Sequence, residues 1–233
     1  MASTTEAAPA ARTVIIPAGV MLPGDLTIPA DARGIVVFAH GSGSSRLSPR
    51  NQRVAAHLQG GGFATLLFDL LTTDEEIVDA RTAQLRFDIP MLAERLVSVT
   101  DWLVAQPATR ALHIGYFGAS TGAAAALIAA AGRPSAVHAV VSRGGRPDLA
   151  GPALGRVKAP TLLIVGGEDT PVIEMNQSAL QQLAAQTKKL EIVPGATHLF
   201  EEPGTLERVS ELALGWFDKH LASKPKPARA GKV

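Results

Sequence analysis

The chain has no cysteine, which excludes disulfides, a thiol nucleophile and cysteine-ligated metal sites, and leaves the redox compartment open. Aromatic residues are also scarce, at 4% of the total. The basic C-terminal tail has no aromatics interleaved with its cations and the body carries no basic stripe, so no nucleic-acid surface is expected. No apolar run approaches the ~20 residues needed to span a bilayer, so no membrane span is expected. No histidine cluster has metal-ligand spacing, and Gly60-Gly61-Gly62 lacks the lysine and Ser/Thr of a phosphate loop, which leaves it as a helix stop and turn.

Charge is low as well, at 18% Asp, Glu, Lys and Arg, and the net formal charge is only +1. That balance hides an asymmetry. Lys224, Lys226, Arg229 and Lys232 lie in the final SKPKPARAGKV without an acid; setting those four aside leaves 18 cations against 21 anions, a body of −3. Residues 223–233 are expected to be a disordered basic tail. Residues 1–12, MASTTEAAPAAR, have no basic start followed by an apolar stretch, so they do not read as a secretory signal and are expected to be disordered. A cytoplasmic location is the default that follows.

What remains, residues 13–222, is a natural length for one α/β domain. Apolar, β-branched runs recur at Gly34–Ala39, Ala64–Leu70, Ala111–Phe117, Ala136–Val141, Thr161–Val165 and Leu190–Val193, after an opening hairpin over Thr13–Pro17 and Gly19–Pro29. Helical segments are expected at Asn51–Leu58, Ser120–Ala131, Asn176–Gln186 and Thr205–His220. Another follows Asp88, with Pro90 in its first turn and Leu92, Leu96, Val99 and Leu103 on one face. Thr72–Asp79 reads as an acidic loop whose carboxylates Asp74, Glu75, Glu76 and Asp79 form a solvated face. Alternating strands and helices predict about eight strands in a mostly parallel sheet covered on both faces, without a cap domain.

The organising stretch is Leu112–Ala126, LHIGYFGASTGAAAA, where a strand breaks at Gly118-Ala119-Ser120-Thr121-Gly122 and resumes as a helix. This G-x-S-x-G pattern sets a serine on a sharp strand-to-helix turn with its hydroxyl exposed, and a Cβ at Gly118 or Gly122 is expected to collide with the neighbouring backbone. A serine hydroxyl needs a base, and the base an orienting partner. His198 and Asp169 fit those roles: each lies just past a predicted strand, at the carboxyl edge where ligand crevices form. Glu168 is the alternative acid. The oxyanion donors are expected to be the Thr121 amide and the Ser42 amide from His40-Gly41-Ser42-Gly43, with Gly41 the nearest competitor and His40 shaping the loop.

These motifs resemble the α/β-hydrolase superfamily, in chain order Ser, Asp, His, and within it the small lidless branch of dienelactone-hydrolase-like proteins. The resemblance spans roughly Thr13 to Leu221 and rests on HGSGSS at His40–Ser45, GASTG at Gly118–Gly122, VGGEDTPV at Val165–Val172 and GATHLF at Gly195–Phe200. It departs in one place: dienelactone hydrolases proper carry a cysteine nucleophile, and this chain has serine. HGSGSSRLSPRN, SRGGRPDLAG and GATHLFEEPG resemble a group of predicted hydrolases sometimes joined to phosphoribosyltransferase domains.

The resemblance implies a serine esterase acting on a small-molecule ester through an acyl-enzyme, with no cofactor; acyl transfer, thioester cleavage and lactone opening use the same triad, and a non-catalytic binding protein is the reading of a different class. Arg143 and Arg146 follow the strand after the nucleophile helix and face the same crevice, where they are candidates to hold an anionic substrate group, with Arg46 and Arg50 adding to the field. The other reading pairs them with Asp148, pinning the loop.

Overall fold

The computed structural model describes residues 10–221. The expected N-terminal segment up to residue 9 and the basic tail lie outside the described residues. The first strand begins at Arg12, inside the stretch expected to be unstructured, because Arg12 to Pro17 pair in register with the strand that follows.

Eight strands form one sheet: β1 (Arg12–Pro17), β2 (Met21–Thr27), β3 (Ile35–Ala39), β4 (Ala64–Phe68), β5 (Ile114–Ala119), β6 (Val137–Arg143), β7 (Thr161–Gly166) and β8 (Lys188–Val193). Their order across the sheet is β1-β2-β4-β3-β5-β6-β7-β8. The β1–β2 hairpin is antiparallel and lies antiparallel on β4, and every other pairing is parallel. β3, β4, β5 and β7 are buried along their whole length. A strand covered on both faces has no polar side to show, so these read as continuous apolar runs.

Among the described residues six α-helices cover the sheet: α1 (Pro49–Gly60), α2 (Thr73–Thr82), α3 (Ile89–Ala105), α4 (Thr121–Gly132), α5 (Thr170–Gln182) and α6 (Thr205–His220). α1 and α6 pack Val54, Leu58, Val209 and Phe217 against one face. α3, α4 and α5 pack Leu92, Leu96, Leu103, Ala126 and Ala179 against the other. α4 is nearly all small residues, and Gly122 to Leu127 are all buried, so its axis lies close against β5 and the serine at its start is held firmly.

Three stretches differ from expectation. Thr72–Asp79 is not a solvated loop: it opens α2 through a capping box, the Thr72 hydroxyl accepting from Glu75 N and the Glu75 carboxylate from Thr72 N. Two of its carboxylates are then used inward, while Asp74 and Glu76 stay exposed as expected. Glu75 forks Arg95 at 2.6 and 2.7 Å, and that hydrogen bonding holds its pKa below the ordinary value. Asp79 accepts from the amides of Leu85 and Arg86 and from Arg86 Nε. Secondly, the link from β6 to β7 carries a 3-10 stretch, Pro147–Arg156, kinked at Gly151. α5 also starts six residues before the expected Asn176, directly after Asp169 and with Pro171 in its first turn.

Candidate active site

Ser120 sits between β5 and α4 with φ 50° and ψ −121°, one of three non-glycine residues at positive φ among the described residues. Such a conformation costs on the order of 1–3 kcal/mol and persists only where the surroundings over-determine it. The surroundings here are rigid. A Cβ on Gly122 would stand 2.3 Å from the carbonyl oxygens of both Ala39 and His40, and one on Gly118 2.5 Å from Ala123 Cα, all of them backbone atoms that cannot swing aside. The collisions expected from the motif are therefore real, and only glycine lets β3, β5 and α4 meet there.

Asp169 ends the turn after β7 and caps α5, and His198 lies in the loop after β8. His198 Nδ1 is 2.6 Å from Asp169 Oδ2, with the acid mostly buried and the imidazole more than a third exposed. With Nδ1–H donating to the carboxylate, the Nε2 lone pair is left free to accept a proton. The 143–146 turn links this pair to the serine. Ser120 N donates to Arg143 O at 3.2 Å and Arg146 N to Ser120 O at 3.1 Å. Between them Gly144, at φ +52°, lies against His198 so closely that a Cβ would be 3.1 Å from its carbonyl oxygen and 3.5 Å from the ring. Asn176, fully buried in α5, holds the turn from behind by donating to Gly145 O at 3.0 Å. Glu168 makes no contact with the imidazole; its amide donates to Ala196 O.

The loop after β3 wraps the other side of the serine. His40 is buried; Leu70 N donates to its Nε2 at 3.0 Å, so the ring proton is on Nδ1, facing Gly41 O at 3.0 Å. Burial holds its pKa below the ordinary histidine value, which suits a neutral ring that must accept an N–H. Arg46 anchors the far end of the loop on Asp69 and Asp25, so it is consumed in structure and does not add to a substrate field. Gly41 packs directly on Ser120, its would-be Cβ 3.0 Å from Ser120 Cβ. The Ser42 amide, expected to face an oxyanion, donates at 2.9 Å to Thr121 Oγ1. A pocket of about 500 Å³ opens beside this pair, its walls including Gly41, Ser42, Thr121, Leu71, Glu76 and Arg86. Ser120, Asp169 and His198 are not among those walls.

The two candidate arginines part company. Arg146 forks Asp148 at 2.9 and 2.7 Å in a partly exposed pair. It pins its own loop, so the expected substrate role is withdrawn for it. Arg143 is only 7% exposed and its guanidinium has no hydrogen bond or ion pair among the described residues; it lies 5.9 Å from the centroid of the Phe200 ring. Burial first, and the nearby Arg50 charge second, push its pKa down to about 10. It remains a cation at neutral pH. The sequence had no means to separate these two arginines, because pairing depends on which face of the turn each side chain leaves from.

The sequence model of the Dienelactone hydrolase family matches residues 22–218. The chain belongs to the dienelactone hydrolase family. Its family is one of hydrolases, and its eight-stranded, mostly parallel sheet in a single uncapped domain is that family's fold. It is 61% identical to a dienelactone hydrolase from Anabaena variabilis ATCC 29413, whose crystal structure superposes with a TM-score of 0.90 over 92% of this chain and 99% of the other. Est1E from Butyrivibrio proteoclasticus shares the fold at 17% identity and TM-score 0.71, over 90% of this chain and 99% of that one. Two Mycobacterium tuberculosis proteins, of strains CDC 1551 / Oshkosh and H37Rv, are 60% identical over 214 residues and bear the name "Putative phosphoribosyl transferase". Those residues are 92% of this chain and 47% of theirs, so the chain spans about half the length of the curated relatives it matches. Among the described residues no helix is long and apolar enough to cross a membrane.

Proposed function

We propose that this member of the family is a serine hydrolase that cleaves a carboxylic ester of a small molecule through an acyl-enzyme. The observation that carries the reading is the 2.6 Å contact of His198 Nδ1 with Asp169, joined to a serine in a strained turn through residues 143–146, which hydrogen-bond Ser120 and press Gly144 against His198. Asp169 keeps the imidazole in the tautomer that accepts at Nε2 and stabilises the imidazolium when it forms. Ser120 Oγ attacks the ester carbonyl and its proton passes to His198. The same proton then goes to the departing alkoxide, and the acyl group stays on Ser120. Water, deprotonated in turn by His198, attacks the acyl carbon and releases the acid, returning Ser120 to its resting form. The negative charge that develops on the carbonyl oxygen meets the Thr121 amide at the start of α4 and the Ser42 amide, which must leave Thr121 Oγ1 to receive it. A carboxylate accepts a hydrogen bond roughly twice as strongly as a neutral oxygen does, and an oxyanion has the same advantage over the threonine hydroxyl. Acyl transfer, thioester cleavage and lactone opening share these steps and differ only in the nucleophile or leaving group.

The phosphoribosyl transferase name belongs to proteins about twice as long, of which this chain matches 47%. Treatment with a fluorophosphonate tests the proposal. One adduct per chain by intact mass, located on Ser120 by peptide mapping, is the expected result. No adduct on folded protein, or one on another residue, contradicts it.

A further inference from the structure

The turn at 143–146 bears on both Ser120 and His198. Arg143 O accepts from Ser120 N, Arg146 N donates to Ser120 O, and Gly144 lies against the His198 ring and carbonyl. Gly144 N is tied in turn to Ile164 O in β7, at 2.8 Å. The space around the turn is full: a Cβ on Gly145 would stand 2.0 Å from Ser142 Oγ and 2.7 Å from Ala123 Cβ. A shift of this turn therefore moves the serine and the imidazole together, or pulls one away from the other.

Among the described residues a single side chain hydrogen-bonds the backbone of that turn. It is Asn176, fully buried in α5, whose Nδ2 donates to Gly145 O at 3.0 Å and to Val172 O at 2.8 Å. Asn176 stands seven residues after Asp169, the residue that caps α5. Seven residues are two helical turns, or ~10 Å, so both residues lie on the same side of one rigid helix. The Asp169 carboxylate takes no part in capping the helix and is given to His198 instead. α5 thus fixes the imidazole at one end and the turn behind Ser120 further along.

The amide is kept at a cost. Asn176 Oδ1 is buried with no hydrogen-bond partner among the described residues, and an unsatisfied buried acceptor is unfavourable. What the asparagine adds over a leucine of similar size is the N–H aimed at Gly145 O. We infer that Asn176 is a positioning residue for the reaction: by anchoring Gly145 to α5 it holds Ser120 and His198 at the spacing that proton transfer between them requires. This rests on the serine-hydrolase reading and adds to it a residue that touches neither the substrate nor the reacting atoms.

Replacing the amide tests this. In Asn176→Leu, kcat on 4-nitrophenyl acetate is expected to fall about 10- to 100-fold with KM within about two-fold, the scale set by a misplacement of up to ~1 Å caused away from the chemistry. The rate of labelling by a fluorophosphonate should fall by a similar factor. Leu103→Ala removes a fully buried side chain from the last turn of α3. It lowers the melting temperature and should leave kcat unchanged, so that loss of stability and loss of positioning are told apart. A kcat within about three-fold of native in folded Asn176→Leu, or an equal loss of kcat in Leu103→Ala, overturns the inference.

Asn176→Asp keeps the shape of the side chain and carries the test if the leucine variant does not fold. Its neutral carboxyl donates to Gly145 O and its ionised form does not, and burial raises the pKa of such a group. The ratio of variant to native kcat is therefore expected to rise as the pH is lowered from ~10 to ~6; a ratio that does not change overturns the inference. The downfield proton resonance of His198 Nδ1–H, recognised by its absence in His198→Gln, reads the same positioning without catalysis. It should shift or broaden in Asn176→Leu and stay in place in Leu103→Ala. If the native protein neither cleaves the ester nor takes up the fluorophosphonate, the esterase reading has failed and the resonance decides alone: moved in Asn176→Leu it supports the positioning role, and unmoved it overturns it.

Discussion

The Ser42 amide donates to Thr121 Oγ1 at 2.9 Å, so the side chain of the residue after Ser120 holds one of the two amides proposed to face the developing oxyanion. The hydroxyl satisfies an N–H that would otherwise wait unpaired in the crevice, and it fixes the loop after β3 at the distance from α4 that an oxygen between them requires.

Removing that N–H tests its role. Ser42→Pro is expected to lower kcat by about 10²–10³ with KM little changed, the usual cost of one oxyanion donor, while Thr121→Val, which removes only the competing hydroxyl, changes kcat by less than about five-fold, since a neutral hydrogen bond is worth ~1 kcal/mol. Circular dichroism and melting establish that both variants fold. A loss under ten-fold in folded Ser42→Pro would transfer the role to the Gly41 amide.

Asp169 and Glu168 are adjacent carboxylates with different surroundings, and only Asp169 touches the imidazole. Asp169→Asn is expected to cost about 10³–10⁴ in kcat, because the amide turns the ring to the wrong tautomer. Glu168→Gln should stay within about two-fold, since surface substitutions away from such contacts do little. Measured kcat values in the reverse order would make Glu168 the acid.

The pocket beside Ser42 and Thr121 has apolar walls at Leu70, Leu71 and Leu92 and charged ones at Glu76, Asp79 and Arg86. A long alkyl chain laid there would meet those charges and strip water from them without replacing it. We expect 4-nitrophenyl butyrate to be cleaved with higher kcat/KM than the palmitate. A rate that climbs with chain length and rises at an oil–water interface would contradict this reading of the pocket.

His40 is buried and neutral, with its pKa held below the ordinary 6.5 by burial. Burial also lowers His138 and His220. Below pH ~6.5 the unfolded chain takes up protons that the native chain does not, so stability falls as the pH drops through that value and on toward the folded pKa. For His40 alone the loss between pH 7 and 5.5 is up to about 1 kcal/mol. His40→Gln keeps an acceptor for Leu70 N and removes the titration, so denaturant melts should show a correspondingly weaker pH dependence. An unchanged dependence would mean that His40 takes up its proton alike in the native and unfolded chains.

Much of this was legible in the sequence for identifiable reasons. β3 and β5 are apolar on both faces and empty into glycine and serine, so their carboxyl ends, and with them the oxyanion loop and the elbow, could be located. α6 shows its apolar face plainly and runs over the expected Thr205–His220. α2 did not show because its four acids masked a weak apolar face; the Thr72-x-x-Glu75 capping box was the signal to use. α5 was expected late because Thr170 and Pro171 looked like loop, although proline suits the first turn of a helix. The contrast between Arg143 and Arg146 was not available at all, since burial of one and pairing of the other arise only when β6, α1 and the His198 loop converge.

The most direct measurement of the central claim is kcat/KM of Ser120→Ala on 4-nitrophenyl acetate, with its melting temperature determined alongside. Losing a triad nucleophile typically costs several powers of ten, so we expect a fall of about 10⁴ or more. The melting temperature should be equal to or above that of the native protein, because alanine keeps the turn. Activity within ten-fold of the native protein, in a variant that melts normally, would contradict the assignment of Ser120 as the nucleophile.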